Sequence, residues 1–205
     1  TQAESSAASD VYKRQILRRQ VHRDFRKPLV LMTPKSLLRN KLCTSKIEDF
    51  TNGSSFHRVL WDDAEKGSSS TELANDKNIR RVVMCSGKVY FDLLEERDAR
   101  GLNDIYLLRF EQFYPFPAMS ALKELERFQN AEMVWCQEEP KNQGAWSFME
   151  PNIEWVLSRM KAKFKRPIYV GRPASASPAT GLASQHKEQQ KLLVEEALNL
   201  KENKK

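Results

Sequence analysis

From Arg81 onward, short apolar runs alternate with longer stretches in which apolar residues recur every three or four positions. Residues 81–85 form a β-branched run that enters Ser86-Gly87 and then a helix carrying Val89, Tyr90, Leu93 and Leu94. Residues 105–109 read as a second strand. Met119, Leu122, Leu125 and Phe128 space a helix opened by Pro117, a place where a helix tolerates proline. Residues 133–137 are a third strand, and 146–163 a helix that Pro151 begins or bends. A short strand at 167–170 and an amphipathic helix at 184–199, with Leu193, Ala197 and Leu200 in register, close the chain. Strands alternating with helices of about a dozen residues predict an α/β fold: a mostly parallel sheet with helices on both faces.

The first half is less regular. Residues 1–10 hold no large apolar side chain and cannot help fill a core. Ile16, Leu17, Val21 and Phe25 predict an amphipathic helix over 11–26, stopped by Pro28. Residues 29–32 look like a buried strand ending at Thr33-Pro34, followed by a brief helix at 35–38. Between 40 and 76 the composition turns to Ser, Thr, Asn, Asp and Gly, with one strand expected around 56–61. A connection this long is functional or a linker, so the domain boundary is expected there. A helical and extended arm thus precedes the α/β domain.

Composition adjusts this picture in three ways. With 205 residues and 40% hydrophobic content, the chain can bury one sizeable core plus extensions. It has no apolar stretch of about 18 residues and no secretory-signal pattern, so a soluble cytoplasmic protein is expected. Cys43, Cys85 and Cys136 lack paired spacing, and the latter two sit in apolar runs where thiols pack as small hydrophobes. The net charge of +7 is concentrated between Lys13 and Lys27, where Asp24 is the only acid. Such a cluster can meet nucleic acid or an anionic surface. No zinc-finger spacing, RNA-binding signature or aromatic platform accompanies it, which favours a solvated or partner-facing helix.

Candidate chemistry gathers at strand ends. Ser86-Gly87-Lys88 lies at a strand-to-helix turn, where free N–H groups can hold an anion. Neither phosphate-loop fingerprint is present, and the plain alternative is a glycine permitting a tight turn. Glu138 and Glu139, followed by Asn142, Gln143 and Trp146, place acids, amides and an indole at the sheet edge where ligands bind in open α/β folds. Consecutive side chains on an extended segment point apart, which argues against paired acid–base work by the two glutamates. One carboxylate ordering the loop while the other faces a neighbour is the better expectation. Residues 171–179 are a proline-fixed segment with Arg172, either a free surface loop or one laid against a partner. His22, His57 and His186 have no metal-ligand spacing, and Trp135, Trp146 and Trp155 read as packing or interface anchors.

Leu17-Arg18-Arg19-Gln20, residues 26–30, 33–39, 83–90, 111–117, 137–146 and 171–179 together resemble, in order, the decarboxylating thiamine-dependent component of 2-oxoglutarate dehydrogenases. The resemblance covers roughly residues 16–200. It implies that 16–40 end a transketolase-like pyrimidine-binding domain, 41–76 link, and 77–205 form the C-terminal domain, with 1–15 disordered or foreign. It further implies a homodimer that decarboxylates 2-oxoglutarate on thiamine diphosphate and Mg2+. The succinyl group then passes to the dihydrolipoyl succinyltransferase of a complex that also contains dihydrolipoyl dehydrogenase. The cofactor, metal and catalytic residues of that family fall upstream, so no catalytic or metal-binding residue is expected here. Some members hold a regulatory CoA-type nucleotide, for which Arg39, Arg81, Ser86 and Lys88 are the candidates in this sequence. Glu138, Glu139, Asn142, Gln143, Trp146 and Arg172 are candidates for an interface or ligand-edge loop. The rival expectations are a stand-alone basic binding module for nucleic acid or an acidic partner, and an enzyme using Glu138 and Glu139. No membrane association is expected.

Overall fold

A computed structural model describes residues 10–30, 34–44, 47, 57–67 and 69–199. The chain divides into two compact units, Thr1–Arg58 and Val59–Lys205. In the first, α1 spans Asp10–His22 and a 3-10 helix spans Lys35–Arg39. Leu17, Val21 and Phe25, the apolar positions of the predicted amphipathic helix, are exposed. Of the strand predicted at 29–32, Leu29 and Val30 are exposed and lack regular structure, and the rest lies outside the described residues. An apolar run becomes a strand only where a second strand offers it a ladder, and no described residue of this unit does so.

The second unit carries the α/β fold. Its elements are β1 (Val59–Leu60), β2 (Arg81–Cys85), α2 (Val89–Ala99), β3 (Ile105–Phe110), α3 (Ala118–Leu125), β4 (Glu132–Pro140), α4 (Trp146–Arg159), β5 (Ile168–Arg172) and α5 (Ala183–Ala197). The sheet order is β1-β3-β2-β4-β5, with every pairing parallel except that of β1 with β3. Strands β2 and β3 are buried at every position, which is why both read as continuous apolar runs rather than alternating ones. Val82, Met84, Tyr106, Leu108, Met133 and Trp135 face a core closed by Ala121 and Leu125 of α3 and by Met149, Ile153, Val156 and Leu157 of α4. The alternate strand positions face α2 and α5, which a 2.7 Å bond from Gln190 Nε2 to Asp92 Oδ2 holds side by side.

Two details depart from the sequence pattern. Helix α4 starts five residues before Pro151 and continues through it, because only the Ser147 carbonyl loses its usual amide partner. Residues 59–76, counted above with the linker, instead belong to this unit: they supply β1 and the fully buried Asp62. Asp62 accepts from Leu107 N at 2.7 Å and Ala64 N at 2.9 Å, and it pairs with the equally buried Arg97 of α2. Arg97 also reaches Asp98 and Ser69, while Asp98 accepts from the hydroxyls of Ser69 at 2.6 Å and Thr71 at 2.9 Å. A polar-looking stretch is thereby fastened to the domain by buried charge as well as by the apolar Val59 and Leu60.

Candidate functional site

The chain leaves β2 toward β3 on one side and leaves β4 toward β5 on the other. Their carboxyl ends therefore flank the crevice that forms wherever strand order reverses, the usual ligand position in an open α/β sheet. Ser86, Gly87 and Lys88 leave β2 on one wall, and Glu138, near the carboxyl end of β4, stands on the other. Lys88 Nζ and Glu138 pair across the crevice. Gly87 adopts φ of 83°, the conformation that lets the strand turn sharply into α2. Lys88, the residue before α2, caps nothing with its side chain and is free to reach across.

The acidic–amide loop is organised from below by Gln137, which is 4% exposed. Its Oε1 accepts from Trp135 Nε1 and from the Trp146 backbone N–H, both at 3.0 Å. Its Nε2 donates to the carbonyls of Gln143 at 2.8 Å, Pro140 at 3.2 Å and Glu139 at 3.3 Å. One buried amide thus ties the end of β4, the loop and the start of α4 together. Gly144 closes the loop at φ of 67°, where an added Cβ would lie 2.9 Å from Glu139 Cβ and 3.0 Å from Gln137 Nε2. Trp146 is buried against Tyr169 at a ring-centroid separation of 5.2 Å.

The segment after β5 lies against this loop. Asn142 Nδ2 donates to Ser175 O at 3.0 Å, Ser175 N donates to Asn142 Oδ1 at 3.0 Å, and Gln143 Nε2 adds a bond to Ser175 O at 3.1 Å. The Asn142 amide behaves here as a one-residue strand. Tyr169 Oη donates to the carbonyls of Arg172 at 2.8 Å and Glu139 at 3.2 Å. Arg172, nine-tenths buried, contacts His186 Nδ1 of α5 at 2.8 Å.

The candidate residues accordingly separate. Lys88 and Glu138 meet at the crevice, Ser86 follows β2 beside them in the chain, and Asn142, Gln143 and Trp146 belong to the loop scaffold. Glu139 is exposed and turned away from Glu138, as alternation along a strand requires. Arg39 lies in the first unit. Arg81 stands at the opposite end of β2 from Lys88, bound to Glu132 at 2.6 Å and to the carbonyls of Glu196 and Ala197 at 3.0 Å. It caps the C-terminus of α5, so it does not join Lys88 in one anion site. Cys85 and Cys136 are register partners on adjacent strands and fully buried. Burial pushes the Cys85 thiol up to about 12 and that of Cys136 well above its ordinary value, which holds both as unreactive thiols. Among the described residues no cluster of three or more His, Cys, Asp or Glu could hold a metal.

Sequence reasoning named Gln137 only as part of a motif and missed Asp62, Arg97 and Arg109. Arg109 pairs with Glu111 at 2.8 Å and lies 4.4 Å over the Tyr90 ring. The available signal was an arginine inside an otherwise apolar run, a position that demands a partner.

The family described as 2-oxoglutarate dehydrogenase C-terminal matches residues 44–198. The 2-oxoglutarate dehydrogenase E1 components of Brucella anthropi, Brucella ovis and Brucella abortus are each 60% identical over 184 residues, 89% of this chain. The chain spans 18% of the length of those relatives. No described helix is long and apolar enough to cross a membrane. A sheet whose crevice, loop and C-terminal helix all lie inside the matched residues therefore places this chain in the 2-oxoglutarate dehydrogenase C-terminal family.

Proposed function

We propose that this chain is the C-terminal part of a 2-oxoglutarate dehydrogenase E1 component and that it serves the enzyme as a folded scaffold. The observation that carries the reading is 60% identity to such components over 89% of the chain. In the whole enzyme, 2-oxoglutarate is decarboxylated on thiamine diphosphate with Mg2+, and the succinyl group passes to the lipoyl arm of the succinyltransferase, with dihydrolipoyl dehydrogenase completing the cycle. Bound thiamine diphosphate supplies carbanion stabilisation. The described residues offer that group no carboxylate cluster for its metal and no glycine-rich phosphate loop, so no step is assigned to them. Their contribution is a rigid edge: Gln137 fixes the acidic–amide loop, and Asn142 and Gln143 fix the segment after β5. Glu139, Asn142 and Gln143, held in place from beneath by the buried Trp146, fit a surface met by the rest of the chain or by the second subunit of a homodimer. Ser86 and Lys88 fit the floor of an effector site. The cytoplasm is the compartment that suits this assignment.

The test is a chimera in which this chain replaces the corresponding 184 residues of the Brucella anthropi E1 component, assembled with the succinyltransferase and dihydrolipoyl dehydrogenase. NADH formation driven by 2-oxoglutarate, within about tenfold of the parent, is expected. A soluble, dimeric chimera that turns over no 2-oxoglutarate would sink the proposal, and a preference for pyruvate or 2-oxoadipate would reassign it.

A further inference from the structure

Four arginines of the second unit are at least nine-tenths buried: Arg81, Arg97, Arg109 and Arg172. Three have a carboxylate, namely Glu132 for Arg81, Asp62 and Asp98 for Arg97, and Glu111 for Arg109. Arg172 has none: among the described residues no carboxylate lies within ion-pairing distance, and its buried Nε has no hydrogen-bond partner. Its Nη2 lies 2.8 Å from His186 Nδ1, a contact in which the imidazole must accept because guanidinium carries no acceptor. The carboxylate on the neighbouring strand and the same sheet face, Glu138, is committed to Lys88. A charge taken out of water and left without a counter-charge is costly, so a built arrangement of this kind calls for an anion.

The guanidinium points at the first turn of α5, a fifteen-residue helix whose N-terminus is itself unneutralised. The residue before it, Leu182, offers no capping side chain, and the first turn contains no acid. Among the described residues the N–H groups of Ala183, Ser184 and Gln185 find no acceptor, and all three residues are exposed. The positive end of a helix dipole and an uncompensated guanidinium thus converge through His186.

We propose that Arg172 and the first turn of α5 form a binding site for a phosphate-type oxyanion. Three free N–H groups together with a guanidinium spread their donors over a wider face than one planar carboxylate presents, and they suit the three oxygens of a phosphoryl group. His186 rounds off the site from the helix side.

The experiment is thermal unfolding of the whole chain in inorganic phosphate against chloride at matched pH and ionic strength, with amide shifts of Ala183, Ser184 and Gln185 followed by NMR. A saturable rise in Tm of roughly 5 °C or more is expected at about a hundredfold excess over Kd, with the three amides shifting along the same curve. Arg172→Gln should abolish both effects. Ser184→Glu, which provides a carboxylate at the helix start, should raise Tm in chloride and remove the response to phosphate; it decides the matter if Arg172→Gln fails to fold. Identical behaviour in phosphate and chloride, an undiminished phosphate response in Ser184→Glu, or stabilisation by acetate in place of phosphate would each overturn the proposal.

Discussion

Replacing Gln137 by leucine removes a buried amide of similar size and tests whether one side chain holds the crevice wall. In the native chain Gln137 Oε1 satisfies Trp135 Nε1 and the Trp146 N–H, each at 3.0 Å. Neither donor has another acceptor among the described residues. On the acceptor side the loss is smaller, because Pro140 O still receives Gln143 N at 2.8 Å and Glu139 O still receives Tyr169 Oη at 3.2 Å. Only Gln143 O is stripped of its partner. A buried donor left unmade costs about 1–3 kcal/mol, so two of them set the loss near about 4 kcal/mol. For a chain of this size that corresponds to a fall in Tm of roughly 8–16 °C. Urea unfolding followed by tryptophan fluorescence measures it directly, since both tryptophans at stake report on the change. Gln137→Glu separates donors from acceptors: it keeps both tryptophan bonds but turns a second oxygen toward three carbonyls, and part of its lost stability should return as acid protonates it. If Gln137→Leu unfolds within about 1 kcal/mol of the native chain, the claim that this amide organises the loop is wrong.

Three further outcomes follow from the same geometry. An added Cβ in Gly171→Ala would overlap the Tyr169 hydroxyl and stand 2.7 Å from Gln137 O. The variant should therefore lose about 2–3 kcal/mol, and Tyr169→Phe in the same chain should recover only part of it, because the backbone contact remains; thermal denaturation of both variants decides. Asp62→Asn leaves Arg97 buried without its main counter-charge and should cost about 3–5 kcal/mol in urea unfolding, whereas a loss below 1 kcal/mol would show that Asp98 alone suffices. At pH 8 a thiol reagent should modify Cys43 in the native chain and reach Cys85 and Cys136 only on unfolding, since burial holds these two protonated. Prompt labelling of three thiols would contradict this.

The α/β core was legible because its strands are buried on both faces and its helices keep a regular apolar spacing, so local pattern and tertiary position agree from Arg81 to Val170. The candidate site was legible in part. Strand ends mark a ligand edge, and the sequence places Ser86, Lys88 and Glu138 there; the meeting of Lys88 with Glu138 across the crevice depends on strand order, which local pattern does not encode. Arg81 illustrates the opposite case, since a basic residue beside a strand looks free until α5 is known to end on it. In the segment from Val59 to Thr71 the strand around 56–61 was legible and stands at Val59–Leu60, but the polar part of the attachment was not. That part relies on Asp62 and on hydroxyls bonded to Asp98, and such residues look solvent-bound in a sequence.

The bond from Arg81 to the end of α5 also bears on how the domain is made. It joins the first residue of the central strand to carbonyls 115 and 116 positions later. While the chain emerges from the ribosome, every other strand of the sheet is available before those carbonyls exist. Until α5 is synthesised Arg81 of the central strand has Glu132 but not the helix carbonyls, and the domain closes late, end to middle. A chain cut short within α5 would lose both this contact and the buried Leu193, Val194, Ala197 and Leu198, and this makes that helix the point at which an incomplete product differs from a finished one.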